Sequence, residues 1–175
     1  MERANFLRSD AARLVGYCTA GSVLFGWAHD AVTANVWVEY FTVHHAKLVE
    51  SQSPWVMAFL WGIIATFWVG MIGGAVISIF SFVGSLPQPP VELLQAWIRK
   101  GLITIFVLAM FVLAGCYGIF HVILAKENIV DKEVKIRAVS VALTHQFSYT
   151  GAALTVIIIG AKAMRWRWRH ATMNP

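Results

Sequence analysis

Hydrophobic positions in this chain come in long unbroken blocks rather than in an alternating or helical rhythm. Four blocks stand out: Leu14 to Trp27, Pro54 to Val83, Gly101 to Ala125 and Ala138 to Ala161. A helix that crosses a bilayer needs about 20 mostly apolar residues. Each block therefore predicts a transmembrane helix, with bounds near 11–29, 54–83, 101–125 and 138–162. The first is the shortest and is lengthened by small residues at both ends. The second holds neither a charge nor a histidine. At about 30 residues it is longer than a vertical span needs, so it must tilt or project. The expected fold class is an all-α integral membrane protein, one domain over residues 1–175, with four transmembrane helices in a bundle.

The polar breaks carry patterns of their own. In "GSLPQPPVELLQAWIRKG" a proline-rich turn precedes an amphipathic stretch. Val91, Leu94, Trp97 and Ile98 share one helical face, and Glu92, Gln95 and Arg99 avoid it. Pro89 and Pro90 suit a helix start. This predicts a short interfacial helix in that loop, lying at the headgroups. The first block also reads in part as a cleavable leader: Arg3, Arg8 and Arg13, then apolar residues, then small ones at Val32 and Ala34. His29 and Asp30 interrupt that signature, so a retained first helix is expected.

Composition strengthens this frame. Of 175 residues, 58% are hydrophobic and 13% charged, against about 25% charged in soluble domains. The mean hydropathy is +0.65. The charge pattern sets an orientation. With a cytoplasmic N-terminus, nine of the 14 Lys and Arg residues lie inside and five outside. Short cytoplasmic loops carry that excess, so both termini are expected inside (N-in/C-in), with the interfacial helix in the cytoplasmic loop. Trp27, Trp37 and Trp55 then mark the outer interface and Trp97, Trp166 and Trp168 the inner one. The net charge of +5 follows from topology, and no nucleic-acid partner is expected. The basic-aromatic end "AKAMRWRWRH" suits an anionic leaflet. The expected partner is the lipid bilayer. A membrane-complex partner and a homo-oligomer stay open.

Smaller features follow. Gly70-x-x-x-Gly74, with Gly73 beside it, lets another helix backbone approach closely; packing within the bundle is the favoured use over dimerisation. Cys18 and Cys116 fall at different depths, so a disulfide between them is not expected. Gly26-x-x-His29 echoes Gly118-x-x-His121, as a duplicated helix hairpin would.

Candidate chemistry rests on the histidines. His29 lies 16 residues beyond Arg13, His121 lies 21 beyond Lys100, and His145 lies 17 before Lys162. At about 1.5 Å per residue these sit roughly 24, 31 and 26 Å above the inner interface. Ionisable residues at such depth tend to face the bundle interior. Tyr117 lies one turn deeper than His121, and Tyr149 one turn deeper than His145. The candidate metal ligands are His29, Asp30, Glu39, His45, His121 and His145, with Tyr117 and Tyr149 supporting them. Histidine with carboxylate suits copper, zinc or iron; paired histidines on facing helices alternatively suit a haem. The simpler reading keeps each histidine at the interface or hydrogen-bonded to a neighbouring helix. There is no H-x-x-x-H and no C-x-x-C, no nucleophile elbow, no zinc-protease motif and no phosphate loop. No partner for Ser148 is visible, no catalytic residue is assigned, and no acid falls near mid-membrane as a proton-coupled carrier would want.

Three motifs carry a resemblance: His29-Asp30-x-x-Thr33, then Glu39-Tyr40-Phe41-Thr42-Val43-x-His45, then His145-x-x-Ser148-Tyr149. With the tryptophan-glycine second helix, these resemble an uncharacterised bacterial inner-membrane protein family. The resemblance covers most of the chain. It implies a four-helix, multi-pass protein of the bacterial inner (plasma) membrane and no particular activity. The functional expectation is an outward-facing His/carboxylate pocket for a transition metal, with the first outer loop folded over its mouth. The alternatives are a non-catalytic accessory or assembly subunit of a membrane complex and a haem-binding electron carrier.

Overall fold

The computed structural model describes residues 2–127 and 129–173, and side chains over 9–127 and 129–172. It is all-helical among the described residues: α1 (Glu2–Val36), α2 (Glu39–Thr42), α3 (Pro54–Phe82), α4 (Val91–Ile123) and α5 (Lys132–Met173). Local signals set several ends. Pro54 starts α3 at a position where a missing N–H costs nothing. After Phe82 the chain turns through Gly84 at φ +93°, in the left-handed region that glycine enters freely. The Nζ of Lys132 donates to the carbonyls of Leu124 (2.8 Å) and Ala125 (3.2 Å), capping α4 with a cation.

Three helices, α3, α4 and α5, are long and apolar enough to cross a membrane. Their outward residues agree: Phe59, Trp68, Ile72, Phe111, Ile119 and Ile157 are all exposed. Such apolar surface suits lipid and not water. At about 1.5 Å per residue, the 42 residues of α5 extend roughly 63 Å, twice the hydrocarbon thickness.

Two element boundaries depart from expectation. The interfacial helix does not exist as a separate element: α4 runs unbroken from Val91 through Gly101 to Ile123. Its face of Val91, Leu94 and Ile98 is buried against Leu14, Ile77, Phe82, Ile159 and Ala163. An apolar face that finds three other helices at hand has no reason to lie on headgroups. Gly101, the weak helix former at the junction, seats against Thr155 of α5. The second departure is in α1, which passes His29 and continues for seven residues to Val36. The polar turn at His29–Asp30 lies inside a helix, not at its end.

Helix α1 packs chiefly on α3, and α4 on α5. The first pairing is antiparallel and very close. A Cβ on Gly62 would stand 2.6 Å from Trp27 Cα, one on Gly70 2.6 Å from Thr19 Cα, and one on Gly74 2.8 Å from Val15 Cα. Only glycine permits that approach. The small-residue motif thus serves packing within the bundle. Arg167 of α5 closes the same end of the molecule. It is buried, and its guanidinium donates to the carbonyls of Phe80 (2.9 Å), Leu86 (3.3 Å) and Pro87 (3.1 Å). The bond to Phe80 satisfies the carboxyl end of α3, where intrahelical donors run out, and the other two hold the loop that follows.

Candidate metal centre

At the opposite end of the bundle, α1 and α5 each turn a polar patch inward. The α1 patch is His29, Asp30 and Thr33; the α5 patch is Thr144, His145 and Ser148. All six are buried. Spacing of three and four residues holds each patch on one helical face. Buried polar groups must find partners, and these find one another.

Asp30 Oδ1 is the meeting point. His29 Nδ1 lies 3.0 Å from it and His145 Nε2 lies 3.2 Å from it. On its far side, His145 Nδ1 lies 3.0 Å from the Val141 carbonyl. A carbonyl only accepts, so Nδ1 carries the proton and Nε2 keeps its lone pair. Ser148 donates its hydroxyl hydrogen to the Thr144 carbonyl at 2.9 Å. Its oxygen therefore accepts from His29 Nε2 at 3.1 Å, which leaves the lone pair of His29 on Nδ1. Each imidazole makes an outward hydrogen bond from one nitrogen and turns the other toward the same carboxylate oxygen. In the neutral tautomers set by those outward bonds, two ring nitrogens and the carboxylate are a group that could hold a cation.

The geometry suits a metal ion. Ligands about 2.0–2.2 Å from a metal at tetrahedral or octahedral angles stand roughly 3 Å from one another, close to the separations of 3.0 and 3.2 Å here. His29, Asp30 and His145 are the buried group that could hold an ion, their donor atoms lying within 4.8 Å of one another. The outward N–H bonds from the two rings are the kind that orient metal-binding imidazoles. A cavity of about 50 Å³ adjoins the cluster, lined by Ser22, Gly26, Thr66 and Tyr149 among others. It has room for water beside the ligands.

The first loop lies over the cluster and covers it with aromatic rings. The ring of Tyr40 is 4.3 Å from that of His145, and Phe41 is 5.6 Å away. Burial, reinforced by the nearby Tyr149 and Asp30, pushes the Tyr40 phenol up to about 12, so it remains neutral. His45 donates Nδ1–H to the Tyr40 carbonyl at 2.6 Å and rests on Trp61, ring centres 4.7 Å apart. Phe41 packs with Ala34 and Met57 to anchor this cover.

The remaining expected residues lie elsewhere. Glu39 begins α2, is exposed, and is not among the clustered ligand residues. His45 serves the cover and is not one of the converging donors. His121 is half-exposed and pairs with Glu133 at 3.1 Å, where Tyr117 also donates at 2.7 Å. Tyr149 lines the cavity, with its side chain partly exposed. The echo between Gly26–His29 and Gly118–His121 stops at the letters: Gly26 is wedged against α3, whereas Gly118 has open space beside it.

Sequence reasoning left Ser148 unpartnered, and the structure joins it to His29 and Asp30. That connectivity is the one used by serine nucleophiles. The surroundings do not serve acyl transfer. Ser148 spends its hydrogen on Thr144, and within the unbroken α5 the adjacent peptide N–H groups are spent on the helix. No backbone oxyanion hole forms there. A haem fits no better, because the ring centres of His29 and His145 are 4.6 Å apart and share one carboxylate. A macrocycle does not pass between them. Comparison with protein-family models, curated proteins and solved structures finds no match to this chain.

Proposed function

We propose that this protein is a four-helix bacterial inner-membrane protein with both ends cytoplasmic, which binds one first-row transition metal ion through His29, Asp30 and His145. The observation that carries the reading is that His29 Nδ1 and His145 Nε2 both face Asp30 Oδ1 in a buried group, each ring making a hydrogen bond with its other nitrogen. Two imidazoles and a carboxylate suit zinc, iron or copper. Three protein ligands beside a water-sized cavity describe an open site, the kind that leaves a coordination position for water or substrate.

Elemental analysis of the detergent-purified protein tests this. About one metal ion per chain is expected. His145→Ala and Asp30→Ala are expected to lose it, and His121→Ala to keep it. Metal-free wild-type protein that takes up no zinc, iron or copper on addition overturns the reading. So does equal metal content in the His145→Ala and wild-type proteins.

A further inference from the structure

A second feature lies outside the candidate metal centre, where α1 leaves the α4–α5 pair at the loop end. A groove of about 500 Å³ opens there on the side of the bundle. Its floor is apolar, built by Val36, Met110, Leu113 and Ala114, and Tyr117 and Arg137 stand at its edge. A hollow of about 340 Å³ continues from it, sharing Val36 and Arg137 and reaching Glu39 and Glu133.

The polar edge is held in place. Glu133 Oε1 accepts from Tyr117 Oη and from Arg137 Nε, both at 2.7 Å, while its Oε2 takes the His121 ring at 3.1 Å. Arg137 is thereby fixed through Nε alone. Among the described residues, no hydrogen bond engages its two terminal nitrogens. A fixed guanidinium with free donors matches a phosphate. Glu39, exposed on the other wall of the hollow, offers an acceptor to a cation. The three helices beside the groove present apolar surface to lipid, so acyl chains are the abundant neighbours here.

We infer that this groove binds one phospholipid with an aminoalkyl phosphate headgroup. An acyl chain fills the apolar floor, the phosphate sits on Arg137, and the primary ammonium donates to Glu39. The charge pattern decides the class. A purely anionic headgroup would meet Arg137 but be repelled by Glu39 and Glu133. A choline headgroup would satisfy the charges but has no N–H to donate.

Native mass spectrometry of protein in detergent supplemented with phosphatidylethanolamine, phosphatidylglycerol or phosphatidylcholine tests the inference. One tightly retained phosphatidylethanolamine per chain is expected. Arg137→Gln should weaken retention about tenfold, the scale of one charge-assisted hydrogen bond. Ala114→Trp, at an exposed floor position that carries no bond of the network, should block it. Glu39→Leu, which removes the acceptor, should erase the preference over phosphatidylcholine. No retained lipid, a preference for phosphatidylglycerol, equal retention by wild type and Ala114→Trp, or a protein dimer that Ala114→Trp dissolves overturns the inference. Metal content should not change in these variants, so failure here is separable from failure of the metal assignment.

Discussion

Asp30 shows what one residue can ask of its surroundings. A carboxylate buried among apolar helices is costly unless charge and hydrogen bonds compensate it; with neutral imidazoles turning unprotonated nitrogens toward the same oxygen, that compensation is left to the proposed cation. The residue that decides their chemistry is less obvious. Ser148 receives the His29 Nε2–H and so leaves the lone pair on Nδ1. Ser148→Ala removes that acceptor while keeping all three ligands. Metal affinity is expected to fall by about 10- to 100-fold, the usual effect of losing an orienting partner; competition titration against a zinc-chelating dye measures it. An unchanged affinity would mean that His29 is oriented without Ser148. The depth count from the sequence brought His29, His121 and His145 to similar heights. His29 and His145 do meet, but His121 does not share their level: it pairs with Glu133, 12 residues before His145 on α5 and so roughly 18 Å farther toward the loop end. A count of residues from the nearest basic residue assumes that those basic residues mark one plane, and the register between α4 and α5, which one sequence does not show, puts them at different heights.

At the scale of elements, the glycines of α3 are structural by position and not by type. Gly70 and Gly74 face the α1 backbone, whereas Gly115 has nothing within 4 Å of an added Cβ. Gly70→Ala should cost about 1–3 kcal/mol, since α1 and α3 must part to admit the methyl. Gly115→Ala should be neutral or gain up to about 1 kcal/mol from helix propensity. Thermal unfolding in detergent distinguishes the two, and a matching loss at both positions would refute the close-packing argument. The apolar blocks announced α3, α4 and α5 as helices apolar enough to cross a membrane, because such a crossing demands a long run of one character. The ends were harder. His29, Asp30 and Thr33 look like a helix leaving the membrane, but Ser148 and His145 of α5 and the His29 carbonyl face these side chains, and α1 continues to Val36. Val91, Leu94 and Ile98 look like a face for headgroups, but the cluster around Leu14 and Ile159 receives them.

For the whole molecule, the two ends differ in kind. One is closed by an apolar cluster and by Arg167 holding the carboxyl end of α3. The other holds the polar cluster, its aromatic cover and the groove. The proposed orientation puts the second end outside. A cysteine-scanning test in a background lacking Cys18 and Cys116 resolves it. Gln52→Cys should react with a membrane-impermeant thiol reagent on intact cells, and Ser85→Cys only after permeabilisation. The reverse pattern would invert the topology and leave the cluster facing the cytoplasm.

The aromatic cover also sets a clock. With His29, Asp30 and His145 buried and the Tyr40 ring tilted over His145 at 4.3 Å, an ion in the proposed site would lie beneath the loop. On that proposal, its residence time would be governed by how often the loop opens and not by how strongly an external ligand competes. Stripping by a chelator should proceed at a rate that levels off as chelator concentration rises. Tyr40→Ala should raise that plateau while leaving the equilibrium stoichiometry intact. On the proposed function, a protein built this way would keep its ion through transient scarcity and accept a new one only when its loop lets go.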